Sequence, residues 1–272
     1  TLLTFRKQGA QCVGVPSDDD GLIPEELEKI LQKRKARLLY TIPNFQNPSG
    51  RTSPLARRKA ILEIAARYGL PILEDDPYHY LSYDEEPPET YLSLAGGDQR
   101  VIHTNSFSKL IAPGVRCGCA VVPDALITQM NALRVSAGLS RPAILQRGIY
   151  NYLTAVNFGE RVQELRGVYR KRRDGMVAAI DKYLKPLGIR SNYPLGGFFL
   201  WGEAEMIKDM PAFAKFAVEK KKIAIIPGRA FYTQDEAERA SSSFRISFAK
   251  VAPGDAEEGC KRLAEAFKEF RG

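Results

Sequence analysis

Histidine is nearly missing from this sequence, with two in 272 residues, and its four cysteines, Cys12, Cys117, Cys119 and Cys260, form no C-x-x-C pair. So few soft ligands argue against a zinc cluster. The same cysteine usage argues against a disulfide framework and for a reducing compartment, the cytoplasm. No apolar run approaches the length of a membrane span, and no charged-then-apolar leader stands at Thr1. Internal repeats and low-complexity tracts are missing too. A zinc cluster, membrane insertion and a disulfide-stapled scaffold are thus set aside before any motif is read.

What the chain does have is apolar content, 44%, and a net charge of +8. The first is enough for one large core, or for a large domain with a smaller one. The second gathers in runs at Arg170 to Arg173 and Lys220 to Lys222, inside helical patterns without interleaved aromatics. These read as solvated helix faces with a general attraction for anionic substrates, not as a nucleic-acid surface. Short apolar runs then alternate with amphipathic helices. Strands are expected at Cys12–Val15, Leu38–Ile42, Ile72–Leu73, Val101–His103 and Cys119–Val122, with helices over 24–33 and after Ser53, the latter with Ser53 as N-cap and a stop at Gly69. Such alternation predicts an α/β fold with a mainly parallel sheet covered by helices on both faces. Beyond about Ser136 long helical patterns lead into short strands at Phe198–Trp201, Ile223–Ile226 and Phe244–Phe248, with a closing helix from Pro253 to Phe270. The expected division is a large domain over residues 1–157 and a smaller C-terminal α+β domain over 158–272.

Four stretches carry chemistry, and each follows an expected strand, where open α/β sheets place their ligands. Pro43 to Gly50, P-N-F-Q-N-P-S-G, sets Asn47 in a turn that can aim its amide into a cleft. Glu74 to Tyr78, E-D-D-P-Y, puts three carboxylates after a buried strand, a costly arrangement unless a cation meets them. A protonated ring nitrogen would serve; a metal ion is the weaker rival, because histidine is scarce in the chain and Pro77 turns it. Ser106 to Arg116, S-F-S-K-L-I-A-P-G-V-R, joins the Lys109 amine to hydroxyls and a guanidinium suited to a phosphate. Ser243-Phe244-Arg245-Ile246-Ser247 sets an arginine against apolar neighbours in a strand, suited to a carboxylate if it faces a cleft and to solvent if it does not.

In this order the four stretches resemble the class I/II aminotransferases, fold-type I pyridoxal-phosphate enzymes. Within them the wording of E-D-D-P-Y and S-F-S-K-x-x-A-P-G-x-R-x-G is most similar to the kynurenine/2-aminoadipate/aromatic branch. The similarity runs over essentially the whole chain, through P-G-R-A-F at Pro227–Phe231. It implies pyridoxal 5'-phosphate as cofactor, amino-acid and 2-oxo-acid substrates such as 2-oxoglutarate, and a homodimer. Lys109 would be the Schiff-base lysine and proton carrier. Asp75 would pair with the pyridine nitrogen, assigned over Asp76 by its spacing from Tyr78. Tyr78 and Asn47 would donate to the ring oxygen, Ser106, Ser108 and Arg116 would hold the phosphate, and Arg245 the substrate α-carboxylate.

Members of the family carry, before the equivalent of Thr1, a phosphate-cradling loop and a ring-stacking aromatic. The sequence is therefore expected to begin partway into a longer protein. A rival reading follows from that: a sensor domain of a winged-helix regulator, which would bind nucleic acid only through a domain preceding Thr1. Another fold-type I reaction, such as decarboxylation or β-elimination, is a third.

Overall fold

The computed structural model describes residues 1–98, 100–138, 142–233 and 236–270. The chain forms two compact units, one of Pro16–Asn44 and Arg51–Gly167, the other of Thr1–Val15, Phe45–Gly50 and Val168–Gly272. We call them the parallel-sheet unit and the antiparallel-sheet unit.

Helix α1 (Leu2–Lys7) opens the chain, and Cys12 to Val15 follows it as irregular backbone, not as the expected strand. Four residues without a neighbouring strand have nowhere to place their backbone hydrogen bonds as a ladder. The parallel-sheet unit begins with a hairpin of β1 (Ser17–Asp18) and β2 (Gly21–Leu22), followed by α2 (Pro24–Lys33). Pro24 stands at the helix start with Glu25 and Glu26 in the first turn, which suits the unpaired amides there, and Leu27 and Leu31 are buried one turn apart.

Strand β3 (Leu39–Thr41) pairs in parallel with β4 (Ile72–Asp75), and β4 in parallel with β5 (Val101–Ser106). Helix α3 (Leu55–Tyr68) makes the first crossover and buries Arg58, Ile61, Ile64 and Ala65 along one face. It ends at Gly69, whose φ of +61° is the left-handed conformation open to glycine. Its start departs from expectation: Pro54, not Ser53, is the N-cap, and no side chain caps the helix. Ser53 is already engaged, its amide donating to Pro43 O and its carbonyl accepting from Arg58 Nε.

A short helix α4 (Tyr91–Leu94) precedes β5, and β6 (Gly118–Val121) closes the sheet antiparallel to β5. Burial falls across the sheet. Ile72 and Val101 are buried, while all four residues of β6 are exposed, as is the length of α5 (Asp124–Gly138) after it. Helix α6 (Ala143–Ala155) follows, and α7 (Phe158–Tyr183) carries the chain from one unit into the other.

In the antiparallel-sheet unit β7 (Arg190–Ser191), β8 (Phe199–Glu203), β9 (Ile226–Pro227) and β10 (Ser243–Ser247) form a sheet in the order β7-β8-β10-β9. Between β8 and β9 lies α8 (Met210–Phe216), and α9 (Pro253–Glu269) ends the unit. Ala256, Cys260, Leu263, Ala264 and Phe267 form the buried stripe of α9, three to four residues apart. The Phe267 ring stacks on Phe213 at 4.2 Å between centroids and meets Phe244 of β10 at 5.8 Å. Cys260 lies in this core, its Sγ 3.7 Å from Met176 Sδ, and burial pushes its thiol up to about 11. All four cysteines are free thiols. Among the described residues no helix is long and apolar enough to cross a membrane.

Candidate active site

Three consecutive carboxylates end β4, and the fold treats each differently. Glu74 is fully buried; its Oε1 accepts from the Tyr91 amide at 2.8 Å and its Oε2 from the Leu92 amide at 3.2 Å. His103 of β5 adds its Nδ1 at 2.9 Å from Oε2. Asp76 is also fully buried. Asn44 Nδ2 donates to both of its oxygens at 3.0 Å, and His79 Nδ1 lies 3.0 Å from Oδ2. Asp75 between them is half-buried and faces the other way, as strand alternation requires. Its Oδ2 accepts from Tyr40 Oη at 2.7 Å and its Oδ1 from Thr104 Oγ1 at 3.2 Å. Glu74 and Asp76 have cationic or amide partners; among the described residues Asp75 has only hydroxyls.

Under this row lies Arg58, fully buried on α3. Its guanidinium donates to Asn44 Oδ1 at 2.5 Å and to the carbonyls of Ser53, Pro43, Pro88 and Glu89. Burial lowers its pKa from the usual guanidinium range, against the charges of Tyr91, Glu74 and Asp76. Arg58 orients Asn44, Asn44 chelates Asp76, and the turn that begins at Asp76 carries Tyr78, itself buried.

Setting histidine aside overlooked His79, which follows Tyr78 in the sequence and meets Asp76 within the same turn; the sheet adds His103 from the neighbouring strand. Ligand atoms of Glu74, Asp76 and His103 lie within 4.8 Å of one another. Each of the two carboxylates already accepts from protein donors, so these residues form a hydrogen-bonded set in their own right.

For His103, burial acts to lower the imidazole pKa, but the Glu74 hydrogen bond and the charges of Glu74, Asp76 and Asp75 outweigh it and the net direction is up. A folded-state pKa raised above the ordinary 6.5 stabilises the fold fully below that pH, and the contribution is lost as pH rises through the folded value. Urea unfolding midpoints should therefore decline for the parent above pH 6.5, and this slope should flatten in His103→Gln. Equal slopes in parent and variant would remove the imidazole as its source.

The Lys109 stretch is the connection between β5 and β6. Phe107 N donates to Cys117 O at 3.1 Å, one step beyond the Ser106–Gly118 pair, so Ser106, Ser108, Lys109 and Arg116 share a single closed loop. Ser108 is buried, its amide donating to Ser106 Oγ at 3.2 Å. Arg116 is exposed and sits at φ +43°, after a tight turn at Pro113–Val115. Gly118 allows the closure, since a Cβ there would stand 2.5 Å from Asn105 O. Register sets Thr104 opposite Asp75, and Ser106 lies two residues further on the same face of β5. Asp75 and the Lys109 loop thus both leave the C-terminal ends of adjacent parallel strands, where α/β sheets hold ligands.

The other two expected site residues lie in the antiparallel-sheet unit. Arg245 of β10 faces away from buried Phe244, with its guanidinium 4.2 Å from the Phe199 ring centre and 5.0 Å from that of Phe231. Its Nη1 donates to Asn47 Oδ1 at 2.5 Å. The Asn47 loop is fastened to this unit: Asn192 Nδ2 donates to Ser49 O at 2.7 Å, and a Cβ on Gly50 would stand 2.6 Å from Phe199 O. With its carbonyl oxygen engaged by Arg245, Asn47 has its Nδ2 left as the donor. The strand alternation that permitted either direction for Arg245 is resolved toward this aromatic and amide set.

Sequence reasoning missed Tyr40, Thr104, Asn44, Arg58 and both histidines. The available signal was polar residues inside apolar strand runs, a hydroxyl in each of Leu39–Thr41 and Val101–Ser106, but only the strand register says which carboxylate they meet.

Comparison with known proteins identifies the family. The family model for aminotransferase class I and II matches residues 4–263. The chain belongs to that family. The bovine mitochondrial kynurenine/alpha-aminoadipate aminotransferase is 33% identical over 99% of this chain and 66% of its own length. The crystal structure of Pyrococcus horikoshii kynurenine aminotransferase, in complex with PMP and with KYN as substrates and KYA as products, is 35% identical with a TM-score of 0.88. It covers 95% of this chain and 64% of its own. LysN, the alpha-aminoadipate aminotransferase of Thermus thermophilus, complexed with N-(5'-phosphopyridoxyl)-L-leucine, superposes with a TM-score of 0.91 at 32% identity. It covers 97% of this chain and 67% of its own. The chain spans just under two thirds of the length of most of the relatives it matches, and its fold is the α/β fold-type I of pyridoxal-phosphate aminotransferases.

Proposed function

We propose that the protein transfers an amino group from an aromatic, kynurenine-like or 2-aminoadipate-like amino acid to a 2-oxo acid such as 2-oxoglutarate, with pyridoxal 5'-phosphate as cofactor. The observation that carries this reading is the treatment of the three carboxylates. Two are satisfied by amides and histidines of the protein, whereas among the described residues the one at the head of Asp75-x-x-Tyr78 meets only hydroxyls, which suits an external cation. A protonated pyridine nitrogen fits that requirement, and a primary amine with hydroxyls and a guanidinium on the adjoining loop fits an aldehyde and a phosphate. The names of the relatives support the same activity and give no preference to the regulator reading.

When bound, pyridoxal phosphate would supply an aldehyde that takes up the amino group and a ring that draws electrons from the substrate α-carbon. The chain's own residues do the rest. Lys109 would take the proton from the α-carbon and return it on the other side of the transfer, the general acid–base task of an amine at that place. Asp75 would accept a hydrogen bond from the protonated ring nitrogen. Tyr78 and Asn47 would donate to the ring oxygen, Ser106, Ser108 and Arg116 would hold the phosphate, and Arg245 would hold the α-carboxylate. The apolar residues exposed along α5 and α6, Ile127, Leu133 and Ile144 among them, support a two-fold dimer. The four free thiols accord with a reducing compartment.

The test is transfer by the full-length protein from kynurenine, 2-aminoadipate or phenylalanine to 2-oxoglutarate, followed as glutamate formed. Arg245→Lys keeps the charge and loses the two-pronged geometry, so it should weaken donor and acceptor alike by about 1.5–3 kcal/mol in kcat/KM. An amine lacking the carboxylate should be spared. Equal harm to the amino acid and its amine analogue would remove Arg245 as the carboxylate's partner, and no transfer from any of the three donors would overturn the substrate class.

A further inference from the structure

We propose that Tyr40 is a positioning residue for Asp75, its phenol aiming the carboxylate at the ring nitrogen of the cofactor without neutralising it. The proposal rests on the reading above, in which Asp75 is that nitrogen's partner. Tyr40 lies on β3, opposite Leu73 in the register, and Leu73 shares a strand face with Asp75. Its hydroxyl thus reaches forward along the sheet to the next residue of that face, and its Oη stands 2.7 Å from Oδ2. From the other side Thr104, opposite Asp75 on β5, offers Oγ1 to Oδ1 at 3.2 Å. Thr104 has one hydroxyl proton and a second acceptor, Glu74 O at 3.3 Å, so the shorter phenol bond is the firmer hold.

The kind of donor matters as much as the distance. A lysine or arginine in this place would cancel the charge that a pyridinium needs. A neutral hydroxyl fixes the rotamer and leaves the full negative charge on the carboxylate. The two neighbours show the alternative: Asp76 is chelated by an amide beside His79, and Glu74 is bound by two backbone amides and His103. Neither is available to anything outside the protein. Tyr40 and Thr104 thus separate one carboxylate of three for external use.

The experiment measures dissociation constants of the full-length protein for pyridoxal phosphate and for its analogue with C–H in place of the ring nitrogen. Aldehyde and phosphate are common to both ligands, so their contributions cancel in the comparison. Tyr40→Phe should weaken pyridoxal phosphate about tenfold, the worth of one hydrogen bond to a charged group, and the carbon analogue by less than about twofold. Thr104→Ser, which retains a hydroxyl, should match the parent, and Thr104→Val should repeat the Tyr40→Phe pattern more weakly. Equal losses for both ligands in Tyr40→Phe would mean that the ring merely supports the site, and the proposal falls. No loss for either ligand, while Asp75→Asn abolishes the preference for nitrogen, overturns the role of Tyr40 alone. If Asp75→Asn keeps that preference, the reading of Asp75 fails and takes this proposal with it.

Discussion

Lys109→Ala in the full-length protein is expected to lose at least about 10⁴-fold in turnover, the upper range for removing a general acid–base group, with loss of covalent attachment added to it. The reason lies in the loop. Lys109 shares the Ser106–Arg116 connection with two serines and an arginine, and the Phe107–Cys117 bond closes that connection over the end of β5. Alanine removes the amine and leaves the backbone and the phosphate-binding groups in place. Binding of pyridoxal phosphate should therefore persist, weakened, while turnover disappears. Borohydride treatment of the loaded parent should fix the cofactor to one peptide, the one containing Lys109, and the variant should take up no label there. Label on another lysine would displace Lys109 from its role, whatever the kinetics showed.

The largest effect on stability should come from Arg58→Leu, about 3–5 kcal/mol, as expected when one member of a buried charged network is removed. The side chain is wholly buried and donates to one amide oxygen and four backbone carbonyls. Leucine fills part of the volume but returns no donor, so those acceptors stay buried and unpaired. Asn44 loses what orients its amide, and Asp76 then loses its chelate. Urea denaturation followed by circular dichroism should show the midpoint falling with little change in slope. A loss below about 1 kcal/mol would mean that water satisfies these acceptors, and that Arg58 does not anchor the network.

Local pattern carried much of this structure because the signals were strong and short in range. Helix α2 begins at Pro24 as its proline and acidic first turn predict, and α3 stops at Gly69. The motif residues also fall where strands end, because a ligand loop must leave a strand whose own pattern is plain. What escaped was fixed by pairing between strands distant in sequence. Nothing near Glu74 in the chain announces His103, since the two meet through the β4–β5 register. Tyr40 looks like an ordinary strand aromatic until β3 is laid beside β4. Ser53 illustrates the opposite error: a residue with a good capping side chain stands one position before the N-cap, Pro54, and its hydroxyl does not cap the helix.

The placement of Cys260 makes the protein its own reporter. A thiol held near pKa 11 inside the α9 core is doubly protected, by burial and by protonation, whereas Cys119 stands open on β6. An alkylating reagent therefore meets two populations. Cys119 is open to the reagent in the folded protein, and Cys260 is reached only when the antiparallel-sheet unit opens. The ratio of the two rates is a direct reading of how often that core exposes itself, obtained under native conditions and without denaturant.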